Sequence, residues 1–138
     1  MPRQSACIRA LILDELEEYD EYITEMSRRI EADQSDFAAW NNRGVAHWEI
    51  GQREEAMRDF GMACTICYTD TAPFLNRASL LVEANNAEAA LIDASKANTI
   101  DPEHVSVYSV RAQIHRRLGN ISAAESDERR GKELQFVT

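Results

Sequence analysis

The chain has 138 residues, 44% of them hydrophobic, which is enough for one domain with its own core. Gly (5) and Pro (3) are too scarce to punctuate an all-β fold, while Ala, Leu, Glu and Arg are abundant and favour helix. A formal net charge of -9 argues against nucleic acid as a partner, because binding along a phosphate backbone needs a positive surface.

Residues 1–36 form the first element. Ile8, Ile12, Leu16, Tyr19, Ile23, Met26 and Ile30 recur at spacings of four and three without an intervening Gly or Pro. That stripe predicts one helix from about residue 5 to about 31, roughly 40 Å long at about 1.5 Å per residue; the alternative is a hidden helix pair. The segment is acidic, with four Arg/Lys against ten Asp/Glu, whereas residues 105–138 carry six against four. Opposite charges at the two ends suit steering of a partner or of a second copy. The stripe is expected to pack near Phe37 and Trp40 and so cap the rest of the chain, or else to support a homodimer. The short apolar stretch Ala6 to Leu13 is broken by Arg9 and followed by Asp14-Glu15, so no signal peptide is expected. No stretch approaches the roughly 18 apolar residues of a membrane span. Three cysteines in a chain that needs no staples suit a reducing compartment, and a cytoplasmic location is expected.

Residues 37–138 divide into three units, 37–70, 71–104 and 105–138. In the first, Asp36 precedes a helix with Trp40, Gly44, His47 and Trp48 at helical spacing; Gly51-Gln52 ends it, and a second helix carries Ala56, Phe60 and Ala63. In the second, Asp70-Thr71 and Pro73 open a helix with Phe74, Arg77 and Ala78; Asn85-Asn86 ends it, and Ala90 and Ala97 come next. In the third, Asp101-Pro102 lies ahead of a helix with Tyr108, Arg111 and Ala112, Gly119-Asn120 ends it, and Ala124 and Gly131 come next. Every corresponding residue lies 34 positions from the last without a gap. The expected fold is all-α: tandem helix-turn-helix repeats with an N-terminal capping helix. Ala56, Ala90 and Ala124 are expected at buried helix contacts.

These residues resemble the tetratricopeptide repeat, whose pattern is Trp-x2-Leu-Gly-x2-Tyr, later Ala-x3-Phe, then Pro. The first unit gives Trp40-x2-Arg43-Gly44-x2-His47 and Ala56-x3-Phe60; the second Phe74-x2-Arg77-Ala78-x2-Leu81, Ala90-x3-Ala94 and Asp101-Pro102; the third Tyr108-x2-Arg111-Ala112-x2-His115 and Ala124. Unit one departs from it with Tyr68 where Pro is usual, and unit three with Glu128 where a large apolar residue belongs. The resemblance implies an α-α superhelix whose first helices line a concave groove for a peptide or helix of another protein. The groove residues it implies are Asn42, Val45 and Trp48 in unit one, Leu75, Asn76, Ser79, Val82 and Glu83 in unit two, and Gln113, Arg116 and Arg117 in unit three. Some members clamp a C-terminal carboxylate with cations at fixed places; here those places hold Ala72, Ser106 and Val110, and no such clamp is expected.

Trp48 lies eight residues after Trp40, about 80° off its line. Trp40 is therefore expected to face the partner helix of its own unit while Trp48, sharing a face with Val45, points elsewhere; the resemblance implies that this face is the groove, the alternative being that Trp48 packs against the N-terminal helix or the neighbouring unit. Arg116 with Arg117 would favour an acidic residue. No catalytic residues, cofactor or metal are expected. Cys64-x2-Cys67 is a single pair, short of the four ligands of a structural zinc, and reads as core packing. His47 and His115 read as packed ring residues, and His104 as an exposed loop residue. The acidic run Asp14, Glu15, Glu17, Glu18, Asp20 and Glu21 reads as a solvated helix face, since calcium loops need Gly and alternating oxygen ligands.

Overall fold

The computed structural model describes the backbone of residues 2–137 and the side chains of residues 15–137. Among the described residues there are seven helices and no strand: α1 (Pro2–Ala32), α2 (Phe37–Glu49), α3 (Arg53–Ile66), α4 (Thr71–Glu83), α5 (Ala87–Ile100), α6 (Val105–Arg117) and α7 (Ile121–Gln135). The start of α2 recurs at α4 and α6, and that of α3 at α5 and α7, each time 34 residues on. The chain forms two compact units, α1 to α3 and α4 to α7, dividing between Ile66 and Cys67.

Local chemistry sets the bounds of the helices. The Asp36 carboxylate accepts from the Ala39 N–H and Asp70 from the Ala72 N–H, satisfying donors that the first turn leaves open. At α6 this position is His104, whose side chain makes no cap hydrogen bond. Each first helix ends identically. Gly51, Asn85 and Gly119 adopt φ of 83°, 64° and 80°, and the next N–H reaches back to the carbonyl of His47, Leu81 or His115. This is the left-handed helix stop that Gly and Asn tolerate best.

In the first compact unit, α2 and α3 pack as a hairpin around Ala56, Phe60 and Ala63, all fully buried. Burial of the Phe60 ring alone contributes about 1.5–3 kcal/mol. Gly44 makes room for it, since a Cβ there would stand 2.7 Å from Phe60 Cε1. The long α1 packs on α2, with Met26 and Ile30 buried against Ala39 and Trp40. Trp40 Nε1 donates to the Gln34 carbonyl at 3.0 Å, and Arg29 pairs with Asp36 at 2.9 Å, fixing the connection. Cover of the stripe fades toward the N-terminus: Tyr19 and Ile23 are half-buried and Leu16 is 41% exposed, as is Tyr22 beside the stripe at 40%. Ile8 and Ile12 lie outside the described side chains.

In the second compact unit, α4 packs on α5, α5 on α6 and α6 on α7. Its core joins Ala78, Ala90, Ala94 and Ile114, with Leu81, Val82, Leu91, Val110 and Leu118 against it. Ala90 and Ala124 are fully buried, as is Ala56 in the first unit. Where repeat one pairs Gly44 with Phe60, repeat two pairs Ala78 with Ala94, so summed volume is shared differently between the same two helix faces.

Candidate functional site

The most regular polar feature is a buried ion pair in every repeat. Arg43 grips Asp59 with two bonds of 2.8 Å, Arg77 grips Asp93 at 2.7 and 2.8 Å, and Arg111 grips Asp127 with two of 2.8 Å. The three aspartates are buried on the second helix of each hairpin. In repeats one and three, the cation also lies over the aromatic ring that opens the motif, Arg43 5.0 Å from the Trp40 centroid and Arg111 5.7 Å from Tyr108. Arg43 additionally donates to Ser27 Oγ at 3.1 Å, tying α1 to the hairpin. The hydrogen-bonded aspartate raises Arg43 above the ordinary guanidinium value, with burial opposing, and Asp127 does the same for Arg111. His47 and His115 stand 3.7 and 3.8 Å from the same carboxylates. These groups close on one another inside the hairpin, so they hold the fold and leave no reactive group facing a ligand. Arg43, Arg77 and Arg111 stand out when the repeats are aligned; their partners Asp59, Asp93 and Asp127 do not figure in the family pattern, although they too are identical at the same spacing.

The residues implied to line a groove divide between the two compact units. In the first, Asn42 and Val45 are half-buried on α2 and, with Ala46 and Glu49, form one wall of a cleft of about 830 Å³. The other wall is Glu15, Glu18, Tyr19 and Tyr22 of α1. Trp48 does not line it. Its ring meets Phe60 of α3 edge-on, at 6.2 Å and 83°. Trp40 packs instead with α1. Trp48 thus contacts the partner helix of its own repeat, and Trp40 contacts α1 while lying under the Arg43 guanidinium that grips Asp59 of α3. The reason is α1, which covers the Trp40 side of α2, while Gly44 lets Phe60 rise toward Trp48.

In the second compact unit Leu75, Asn76, Ser79 and Val82 are half-buried and Glu83 is exposed on α4; Gln113, Arg116 and Arg117 are exposed on α6, which packs against α4. Val82 is drawn into the core. Arg116 is engaged within the chain: Glu128 of α7 accepts from both its Nε and Nη2, at 2.7 and 3.0 Å. Glu128, in the family's apolar position, thus partners a cation on the facing helix. That bond holds its carboxyl below the usual range.

The other candidates are structural. Cys64 is buried and Cys67 half-buried. Among the described residues no cluster of three or more His, Cys, Asp or Glu has the arrangement to hold a metal. His104 is half-buried at the start of α6, not exposed, and its Nδ1 lacks a hydrogen-bond partner, as does Asn98 Oδ1. Glu15, Glu17, Glu18, Asp20 and Glu21 are exposed on α1, while Asp14 lies outside the described side chains. Among the described residues no helix is long and apolar enough to cross a membrane.

Comparison with known proteins agrees with this architecture. Residues 37–68 match the family model for the tetratricopeptide repeat. A curated relative, ETO1-like protein 2 of Arabidopsis thaliana, is 34% identical over 103 residues; the match takes in 75% of this chain and 11% of that protein's length. Among solved structures, MamA 41-end from Desulfovibrio magneticus RS-1 is similar with a TM-score of 0.78 at 16% identity, over 93% of this chain and 72% of that one. The second TPR of Spaghetti (RPAP3) bound to HSP90 peptide SRMEEVD is similar with a TM-score of 0.69 at 21% identity, over 76% of this chain and 99% of that one. With one hairpin matching the family model and two more repeating its helix stops and ion pairs at the same spacing, the chain is built of tandem repeats of the tetratricopeptide type.

Proposed function

We propose that the chain is a protein-interaction module that holds a peptide or helix of another protein against the first helices of its repeats. The observation that carries this reading is the composition of those helices. Asn42 and Val45 border an open cleft on α2, and Leu75, Asn76 and Ser79 keep partial exposure on α4. Half-buried apolar groups beside carboxamides are what an interface centre needs: contact area plus donors and acceptors for a peptide backbone. The similar RPAP3 repeat structure with a bound HSP90 peptide supports the same use of the fold.

That peptide, SRMEEVD, is acidic. An acidic ligand of this kind does not suit the present chain, which has Ala72, Ser106 and Val110 at the places where clamping members carry cations, and whose Arg116 is engaged by Glu128. An odd count of three cysteines in a chain with its own core suits a cytoplasmic setting. The test is affinity purification from the protein's own cells with intact chain, Asn42→Ala and Asn76→Ala. Variants that keep their helical circular dichroism but lose the recovered partner support the module. Undiminished recovery by both sinks the site assignment.

A second reading, self-assembly through α1, is favoured by the exposure of Leu16 on its stripe and of Tyr22 beside it. Light scattering that finds only monomer at high concentration removes it.

A further inference from the structure

The geometry points to a partner of positive charge: we infer that the cleft between α1 and α2 receives a segment bearing Lys or Arg side chains among apolar ones. The inference rests on the interaction-module function and specifies the chemistry of what one part of it takes. The cleft, at about 830 Å³, is large enough for several side chains of a docked segment. Its lining combines three features. Val45 and Ala46 give it an apolar floor. Tyr19 and Tyr22, the latter 40% exposed, offer ring faces and hydroxyls, the amphipathic surface that interfaces favour and that cations pack upon. Glu15, Glu18 and Glu49 stand at its edges, all exposed, and among the described residues no Lys or Arg lines it.

Asp36, Asp59, Asp93, Asp127 and Glu128 each meet an Arg. Among the described residues no ion pair engages Glu15, Glu18 or Glu49, so three like charges converge on one cavity without compensation. Their mutual repulsion is relieved by a cationic occupant and raised by an acidic one, which gives the cleft a sign preference as well as a shape. In sequence the α1 acids read as a solvated face, because Glu49 joins them only through the packing of α1 on α2.

The experiment is fluorescence anisotropy on the full chain. One probe is a short fluorescein-labelled peptide of Lys, Arg and Leu; the other is the same peptide with Glu in place of Lys and Arg. The expected result is binding of the basic peptide only, weakening with salt. Glu18→Gln with Glu49→Gln weakens it about tenfold, as two lost exposed pairs allow. The control double, Glu54→Gln with Glu88→Gln, removes equal charge from exposed positions on α3 and α5 and leaves affinity within about twofold. Equal losses from the two doubles would show a diffuse attraction to an acidic protein and overturn the cleft. Binding of the Glu peptide would overturn it as well. If the chain instead dimerises by light scattering, fails to bind the peptide, and is made monomeric by Glu18→Gln with Glu49→Gln, the occupant is a second copy and the partner assignment falls. A natural partner lost on Asn76→Ala while peptide affinity is unchanged bears on the module alone; the converse bears on the cleft alone.

Discussion

Replacing Gly44 by Ala sets two effects of known sign against each other. Gly44 is buried within α2, where Ala is favoured over Gly by about 1 kcal/mol. The added Cβ, however, would stand 2.7 Å from Phe60 Cε1, 2.8 Å from Cδ1 and 3.2 Å from Asp59 Cβ. The ring is fully buried and is met edge-on by Trp48, so it has little room to swing. Overpacking of this kind costs about 1–3 kcal/mol, and any push on Asp59 also disturbs its grip on Arg43. The expected net effect of Gly44→Ala is a loss of about 0–2 kcal/mol, near 1 at the midpoint. Repeat two supplies the control, because Ala78 faces Ala94 there with both fully buried. In a Phe60→Ala background the obstruction is gone and Gly44→Ala should gain about 1 kcal/mol. Urea unfolding of the four chains forms a double-mutant cycle with an expected coupling of about 2 kcal/mol. A higher midpoint for Gly44→Ala in both backgrounds would show that the ring gives way, and the packing argument would fail.

The other predictions concern a turn, a buried charge and an exposed one. Gly51→Ala should cost about 1–2 kcal/mol, all of it backbone strain at φ 83°, since nothing lies within 4 Å of the new Cβ; an unchanged urea midpoint would mean that the turn relaxes. Asp127→Ala leaves Arg111 without its carboxylate in a mostly buried site and should cost roughly 2–4 kcal/mol by urea unfolding, whereas an exposed change such as Glu125→Ala should stay within about 0.5 kcal/mol. Glu128 has its pKa lowered by the Arg116 hydrogen bond, so its contribution is present above the unfolded pKa and lost as pH falls through the folded one. Arg116→Gln should therefore move the Glu128 carboxyl titration, followed by NMR, up toward 4.5; no movement would deny the pair in solution.

The residues that announce the fold act locally. Asp36 and Asp70 cap by bonds within three residues, and Gly51, Asn85 and Gly119 stop helices by their own φ preferences, so their spacing predicts the hairpins without any tertiary knowledge. What escapes the sequence depends on which helix lies opposite. Trp40 and Trp48 are both large and aromatic, and only the presence of α1 on one side and Phe60 on the other decides where each ring goes. Arg116 reads in sequence as a free cation because its partner, twelve residues on, lies on another helix. Asp59, Asp93 and Asp127 hide behind the expectation that acids face water, and a family pattern with Leu at the Arg position gives no hint of a partner.

The buried ion pairs each join a residue to another sixteen positions ahead, inside one hairpin. A duplication or deletion of a 34-residue segment that respects the helix pairs therefore carries both members along and strands neither charge in the core. A break inside a pair, between Arg77 and Asp93 for instance, separates the two and exposes the full desolvation cost of each. The charge pattern thus acts as a parity check on recombination: it tolerates changes in repeat number and penalises changes in repeat phase.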